Sequence, residues 1–561
     1  MRAHGPLAVA LSLVFLAQPG AAYVPVAAIR PGDRGKGLAT FAGTTVGEYD
    51  VQVLDVLRSD GTTADTLLVR VGGPAIERTG GIAAGMSGSP IYLGGELAAA
   101  LSYALPDADP HFGYATPAEY LDPLLGPASA RVGLLPQPFA GPGALATRSS
   151  QDLLGSVLAA AASQAPAPEP AGMAPLQAGS AVGIQLARGA INVTTIGTVT
   201  AVSGDRLVAF GHKYLHEGLC DYPLVRVSIG SIVPSAKVPF MLGNPIGEPI
   251  GTVTEDRAAG CVAELGRRAT TVPVSVSVSD ERGASRDIRL ELVRTPEVFR
   301  ETLASTVIAA ADGVLDRVGP GSAEVGLTLA CVGGYVISRS DVISSERDIG
   351  GSIAAELKNW VHEIVFNPSC ELLPERCDVT VKASSGLSRA RIVSCEVAPA
   401  RAAPGDAVLV TVTLRPYRSA VTTVQTRLRI PTDAAPGLLR VRVHGKAAGG
   451  LGLFDPWEQE PAFDVPAAYC EWISRSGRGR SVACDLLRSP LERLLRSVRS
   501  TVPAFDESSE MGTRNVPDRE PVTPPSGLAA LLASGDVLAR EIVETTWRVT
   551  GESYADLEVV H

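Results

Sequence analysis

The chain has 561 residues, with 49 Lys and Arg against 59 Asp and Glu, a formal net charge of −10 that excludes wholesale electrostatic attachment to nucleic acid. It is 45% hydrophobic but only 5% aromatic, with 58 Gly and 42 Pro, the composition of many short strands and turns. The length suffices for three or four domains with cores of their own.

Arg2, an apolar run over 6–17 and the small residues Pro19-Gly20-Ala21-Ala22 before Tyr23 read as a secretory signal cut after Ala22. The apolar run is too short to span a membrane, so the expectation is an exported protein, secreted or held in the periplasm or cell envelope. Residues 23–135 are β-rich, with strands about Val51, Val53 and 67–71 and a turn at Ser59-Asp60-Gly61. A short helix is expected at 117–125. Residues 136–180, rich in Ala, Pro, Gln and Gly, read as a linker with one helix at 152–162. Strands resume over 181–300, where a hairpin at 196–202 and 207–210 ends directly on Gly211-His212. A second hairpin falls at 272–278 and 288–293. The 301–377 segment carries helical stretches at 301–318 and 353–366. Regular strands at 379–381, 392–397, 408–414, 424–430 and 438–443 then predict a small, immunoglobulin-like antiparallel β-sandwich over 378–465. The tail, 466–561, is mixed, with a Pro-rich, acidic part at 502–525 expected to be disordered. Its basic stretch, 475–499, carries Leu486, Leu487, Leu491, Leu494 and Leu495 and reads as a helix packing its leucines on the protein. The alternative is a helix on an anionic membrane surface.

Cys220, Cys261, Cys331, Cys370, Cys377, Cys395, Cys470 and Cys484 make an even count, which in an exported chain favours disulfides. The short-range pairs to expect are Cys370 with Cys377 or Cys395, and Cys470 with Cys484.

The chemistry-bearing motif is Gly85-Met86-Ser87-Gly88-Ser89-Pro90, followed by an apolar strand, the Gly94-Gly95 turn and a second strand. A serine hydroxyl is a weak nucleophile until a base takes its proton and donors hold the oxyanion. Glycines let backbone N–H groups converge on that oxyanion. The nucleophile elbow of α/β-hydrolases needs Gly where Ser89 stands and a helix where Pro90 begins a strand. The turn of β-barrel proteases fits better, with Gly85 and Ser87 supplying the oxyanion-hole N–H groups. Among the seven histidines, His212 stands out, because a base aimed from a strand end beside a glycine is rigidly held. His111 lies in a Pro/Asp-flanked loop and His362 in an expected helix. His212, His216, Cys220 and Asp221 also permit a metal reading, but Lys213 stands where a zincin needs Glu, and Pro223 disfavours a helix there. No metal or other cofactor is expected.

At these residues the chain resembles the SpoIVB-type serine peptidases, serine peptidase family 55. The resemblance rests on Thr79-Gly80-Gly81-Ile82 before the serine motif, on Gly113-Tyr114-Ala115, on Ile196-Gly197-Thr198 and on Ala209-Phe210-Gly211-His212. It implies a chymotrypsin-like pair of β-barrels, with Ser87 as nucleophile and His212 as general base. There are three departures. The serine segment precedes the histidine segment, a permuted order. Gly72-Gly73-Pro74 stands where the family has its acidic residue, so Asp221 is taken as the substitute for its nearness to His212, with Asp55 and Asp65 behind it. No PDZ-type domain is found.

The expectation is therefore a mainly β chain: a serine-bearing barrel half, a histidine-bearing barrel half, a short helical segment and a C-terminal sandwich. Its function would be an exported serine endopeptidase acting on protein or peptide substrates. The alternative is a degenerate homologue serving as a cell-envelope binding or scaffold protein.

Overall fold

The computed structural model describes residues 23–59, 63–105, 108–126, 137–138, 167–169, 173–235, 238–367, 370–445, 466–475, 479–488 and 537–560. The signal-like segment, the helix expected at 152–162 and the acidic stretch at 502–525 lie outside them. The chain divides into two compact units, Met1–Val274 with Ile288–Thr306, and Ser275–Asp287 with Val307–His561.

The first unit opens with β1 (Arg34–Ala42), β2 (Thr45–Leu57), β3 (Thr63–Ala64), β4 (Thr66–Gly72), α1 (Pro74–Thr79), β5 (Pro90–Leu93), β6 (Glu96–Ala104), β7 (Phe112–Pro117), α2 (Asp122–Leu125) and β8 (Gln137–Pro138). Six of these strands close a barrel in the order β1-β2-β4-β7-β6-β5, while β3 and β8 form a separate two-residue parallel pair. The alternation legible in sequence is what buries the barrel's lining: Tyr49, Val51 and Val53 point inward from β2, and Leu67, Val69 and Val71 from β4. Helix α1 stops at Gly80, which takes a left-handed conformation (φ 77°) and donates its N–H to Ile76 O. Thr79 Oγ1 donates to the Ile76 and Gly81 carbonyls, so the Thr-Gly-Gly run is a helix cap that turns the chain toward the serine loop.

A second ring follows: β9 (Ala181–Gly189), β10 (Val193–Ser203), β11 (Arg206–Ala209), β12 (Gly218–Val233), β13 (Phe240–Arg257) and β14 (Gly260–Leu265). It closes because β10 pairs with both β11 and β9. The two barrels share one apolar core, in which Val225, Val227, Ile229 and Met241 join Val51, Leu67, Ile91 and Leu101. The long β12–β13 hairpin also reaches the first barrel by main-chain bridges, Ile229 to Gly43 and Phe240 to Ala84. The double barrel is present, and the serine-bearing barrel comes first. The next hairpin, β15 (Thr271–Asp280) and β16 (Ser285–Val293), adds β16 to the free side of β9.

In the second unit β17 (Gly321–Cys331) pairs with β18 (Tyr335–Ser345) and β19 (Pro374–Ser384). The helix Ile349–Val365, capped by Asp348 accepting from Gly351 N–H, buries Ile353, Leu357, Trp360, Val361 and Ile364 on one face. The sandwich is built from β20 (Arg389–Ala398), β21 (Arg401–Ala402), β22 (Ala407–Pro416), β23 (Thr422–Arg429), β24 (Gly437–His444), β25 (Ser481–Arg488), β26 (Val537–Glu544), β27 (Arg548–Thr550) and β28 (Glu552–Val559). Its sheets run β23-β22-β20-β27 and β21-β28-β24-β25-β26 over a common core.

Four expectations are corrected here. Residues 379–381 lie in β19, outside the sandwich, and the sandwich continues past 465 to β28. Residues 481–488, expected as helix, are a strand, because Val482, Cys484 and Leu486 alternate inward at period two. The leucines that suggested helical spacing, at 491–495, lie outside the described residues. Finally, all eight cysteines are free thiols. Cys470 is on the helix Pro466–Arg475, whereas Cys484, its expected partner, lies with Cys395 in the sandwich core. Among the described residues no helix is long and apolar enough to cross a membrane.

Candidate active site at the junction of the barrels

The serine loop joins α1 to β5. Gly85 (φ 106°) and Gly88 (φ 95°) take backbone conformations open essentially to glycine, and they bend the chain around Ser87. Three N–H groups of the loop are already hydrogen-bonded. Met86 donates to Ala83 O at 2.9 Å, Gly88 to Leu101 O at 2.7 Å and Ser89 to Met86 O at 2.9 Å. The N–H groups of Gly85 and Ser87 have no acceptor among the described residues, and Ser87 Oγ is also unbonded. Ser87 itself is half-buried.

Strand β10 of the second barrel grips this loop. Thr198 N–H donates to Ser87 O at 2.8 Å, Thr198 Oγ1 to Gly85 O at 2.9 Å and Thr200 Oγ1 to Gly88 O at 2.7 Å. A β-carbon on Gly88 would overlap the Thr198 carbonyl oxygen and the Phe210 nitrogen. The histidine turn meets the loop at that point. Phe210 N–H donates to Thr198 O at 3.2 Å, and Phe210 (φ 70°) and Gly211 (φ 64°) are both left-handed. That conformation costs a non-glycine residue roughly 1–2 kcal/mol. It is offset by burial of the Phe210 ring over Gly197, where a side chain would collide with it. Gly211 O accepts from Ser102 Oγ at 2.9 Å and Thr116 Oγ1 at 2.8 Å, both from the first barrel. Gly88 and Gly211 are thus packed against each other, and each is the chain neighbour of a candidate residue, Ser87 or His212.

The His212 ring stacks on Tyr103 of β6, centroids 4.7 Å apart and planes 26° apart. Its Nδ1 lies 2.6 Å from Lys213 O. A carbonyl can only accept, so the neutral ring carries its proton on Nδ1 and leaves the Nε2 lone pair available. Burial pushes the ring below the usual histidine value, opposed by the Lys213 hydrogen bond and the Asp256 charge. Burial, with a contribution from Asp256, pushes the Tyr103 hydroxyl up to about 12. No hydrogen bond joins Ser87 Oγ to His212 in this structure.

The other candidates are occupied elsewhere. Asp221 accepts from Thr270 N–H at 2.8 Å and faces Arg267 at 3.9 Å, with no hydrogen bond to His212. Asp55 accepts from Val56 N–H, and Asp65 from Ser59 N–H and Arg58. His111 pairs with Asp109, and His362 packs on Phe366 within its own helix. His212, His216, Cys220 and Asp221 form no metal cluster, and no group of three or more ligating side chains occurs among the described residues. The carboxylate that does face the histidine segment is Asp256 on β13, fully buried. In sequence it stands only as one member of the charged run Glu255-Asp256-Arg257 after a strand-like stretch.

Residues 22–121 match the model of the SpoIVB peptidase S55 family. The matched segment holds the first barrel from β1 to β7 together with the serine loop, and it ends before the second barrel, so the His212 segment lies beyond it. At family level the match supports a SpoIVB-like serine peptidase, a class whose substrates are proteins or peptides. No curated protein and no solved structure matches the chain.

Proposed function

We propose that the protein is an exported serine endopeptidase in which Ser87 attacks the scissile carbonyl and His212 takes its proton, later returning it to the leaving amine. The observation that carries this reading is the packing of Gly88 on Gly211, beside a loop whose Gly85 and Ser87 N–H groups are unused. Two free N–H groups flanking a nucleophile suit the oxyanion of a tetrahedral intermediate, where one such donor is worth about 10²–10³ in rate. The Lys213 carbonyl serves as the acceptor that fixes the imidazole tautomer, a task usually given to a carboxylate. A neutral ring with its pKa below the usual value is ready to accept a proton at neutral pH.

The test is labelling of the purified mature protein with a fluorophosphonate probe. Label is expected on Ser87, with none in Ser87→Ala, and the mature chain is expected to begin at Tyr23. The competing reading is a binding module that has kept the scaffold; it draws on the missing Ser87–His212 hydrogen bond. A folded protein that takes no label and cleaves no peptide library would favour it.

A further inference from the structure

We propose that Asp256 is the acidic positioning residue of this site, acting on His212 through the main chain of residues 214–217 instead of by a hydrogen bond to the ring. The proposal rests on the peptidase reading of Ser87 and His212. Between β11 and β12 the chain has only one irregular stretch in which to aim a base, and that stretch curls around one carboxylate. Asp256 Oδ1 accepts from Tyr214 N–H at 2.8 Å, while Oδ2 accepts from Leu215 N–H at 2.6 Å, from His216 N–H and, at 3.4 Å, from Glu217 N–H.

Successive N–H groups converging on an anion form a nest, and bonds from N–H donors to a charged acceptor are stronger than neutral ones. Closing this nest puts His216 in the left-handed region (φ 63°), a strain that the bonds to Asp256 offset. The carboxylate side chain has no exposed surface, so a turn that let go of it would leave a buried anion unpaired. Asp256 is itself fixed by the ladder, opposite Gly218 on β12 and Cys261 on β14. Lys213, adjacent in the chain, acts on His212 in the opposite sense, Tyr103 covers the ring from β6, and the Cys261 thiol lies against the carboxylate. When Ser87 gives up its proton the ring becomes an imidazolium, and the negative charge of Asp256 favours that state. The same interaction raises the His212 pKa against burial.

The test uses the full chain with 13C-labelled histidine, comparing wild type, Asp256→Asn and Asp221→Asn. Asp256→Asn is expected to slow fluorophosphonate labelling of Ser87 by about a hundredfold, less than the about 10⁴-fold lost with a directly bonded triad carboxylate. With the negative charge gone, the His212 titration midpoint and the acid limb of the labelling rate should both move to lower pH. A folded Asp256→Asn protein with wild-type rate and midpoint would overturn the proposal, as would the same loss in Asp221→Asn instead. The histidine titration needs no activity. A wild type that takes no label, but whose His212 midpoint falls in Asp256→Asn, therefore refutes the peptidase reading while upholding the Asp256–His212 coupling. Should Asp256→Asn fail to fold, the wild-type amide resonances of residues 214–217 decide. They should shift together through the His212 titration, and silence there would overturn the proposal.

Discussion

Each unit of the molecule buries one aspartate near a histidine, and the two are satisfied in opposite ways. Asp485, on β25 of the sandwich, is ringed by three side chains: Arg442, Arg540 at 2.6 Å and His444, whose Nε2 lies at 3.1 Å. Burial alone would push its carboxyl up, but His444, Arg540 and Arg442 together hold it well below the usual carboxylate range. Asp256 is held by main-chain N–H groups and makes no hydrogen bond to the neighbouring His212 ring, whose Nδ1 bonds Lys213 O instead. The closer of these two His–Asp contacts therefore belongs to the sandwich, where it serves a static ion network. A histidine can act as a base only if its lone pair is not already spent, and at His212 the Nε2 position meets that condition.

Breaking the first of these arrangements should have the largest effect on stability. Asp485→Ala leaves the Arg442 guanidinium, 5% exposed, without its carboxylate. The sandwich is expected to lose about 3–5 kcal/mol in urea unfolding. Because the folded Asp485 pKa is depressed, its contribution is present above the unfolded carboxylate value of 3.8 and is lost as pH falls through the lower folded value. Acid unfolding of the second unit should consequently flatten in Asp485→Ala. A steep wild-type-like acid transition in that variant would show that the network is not the acid-sensitive element.

Gly88→Ala strikes the catalytic region instead. It combines a backbone cost of roughly 1–2 kcal/mol with an overlap on Thr198 O and Phe210 N. Labelling of Ser87 should be lost while unfolding of the sandwich is unchanged. Retained labelling would mean that contact between the loop and the histidine turn is dispensable. The smallest effect is expected at an exposed carboxylate, Asp50, whose partner Lys36 Nζ lies at 2.7 Å with both side chains more than half exposed. Lys36→Met should change unfolding free energy by no more than about 0.5 kcal/mol and should respond to salt, the measure of an ion pair in water.

Much of the first barrel is readable in its residues. The period-two burial of Tyr49, Val51 and Val53, the Thr79-Gly80-Gly81 cap and the glycines about Ser87 are local signals, set by side-chain alternation and by φ. Gly197 reads in sequence only as part of a strand and Gly211 as the glycine beside His212, yet one makes room for the Phe210 ring and the other packs on the serine loop. The sandwich was legible only in part. Its strands β25 to β28 reach it after long stretches of other chain, and the alternation in β25 was masked by leucines further on. The pairing of Cys470 with Cys484 failed for a related reason: nearness in sequence says little about which core a side chain enters.

The sequence by itself determined the serine turn, because positive φ at Gly85 and Gly88 and a strand beginning at Pro90 are properties of consecutive residues. Only the tertiary structure decided what faces that turn. The grip of Thr198 and Thr200, the contact of Gly88 with Gly211 and the closing of residues 214–217 on Asp256 all join segments distant in the chain. Such contacts arise from barrel closure and shared burial, and they leave no periodic or compositional trace in either segment alone.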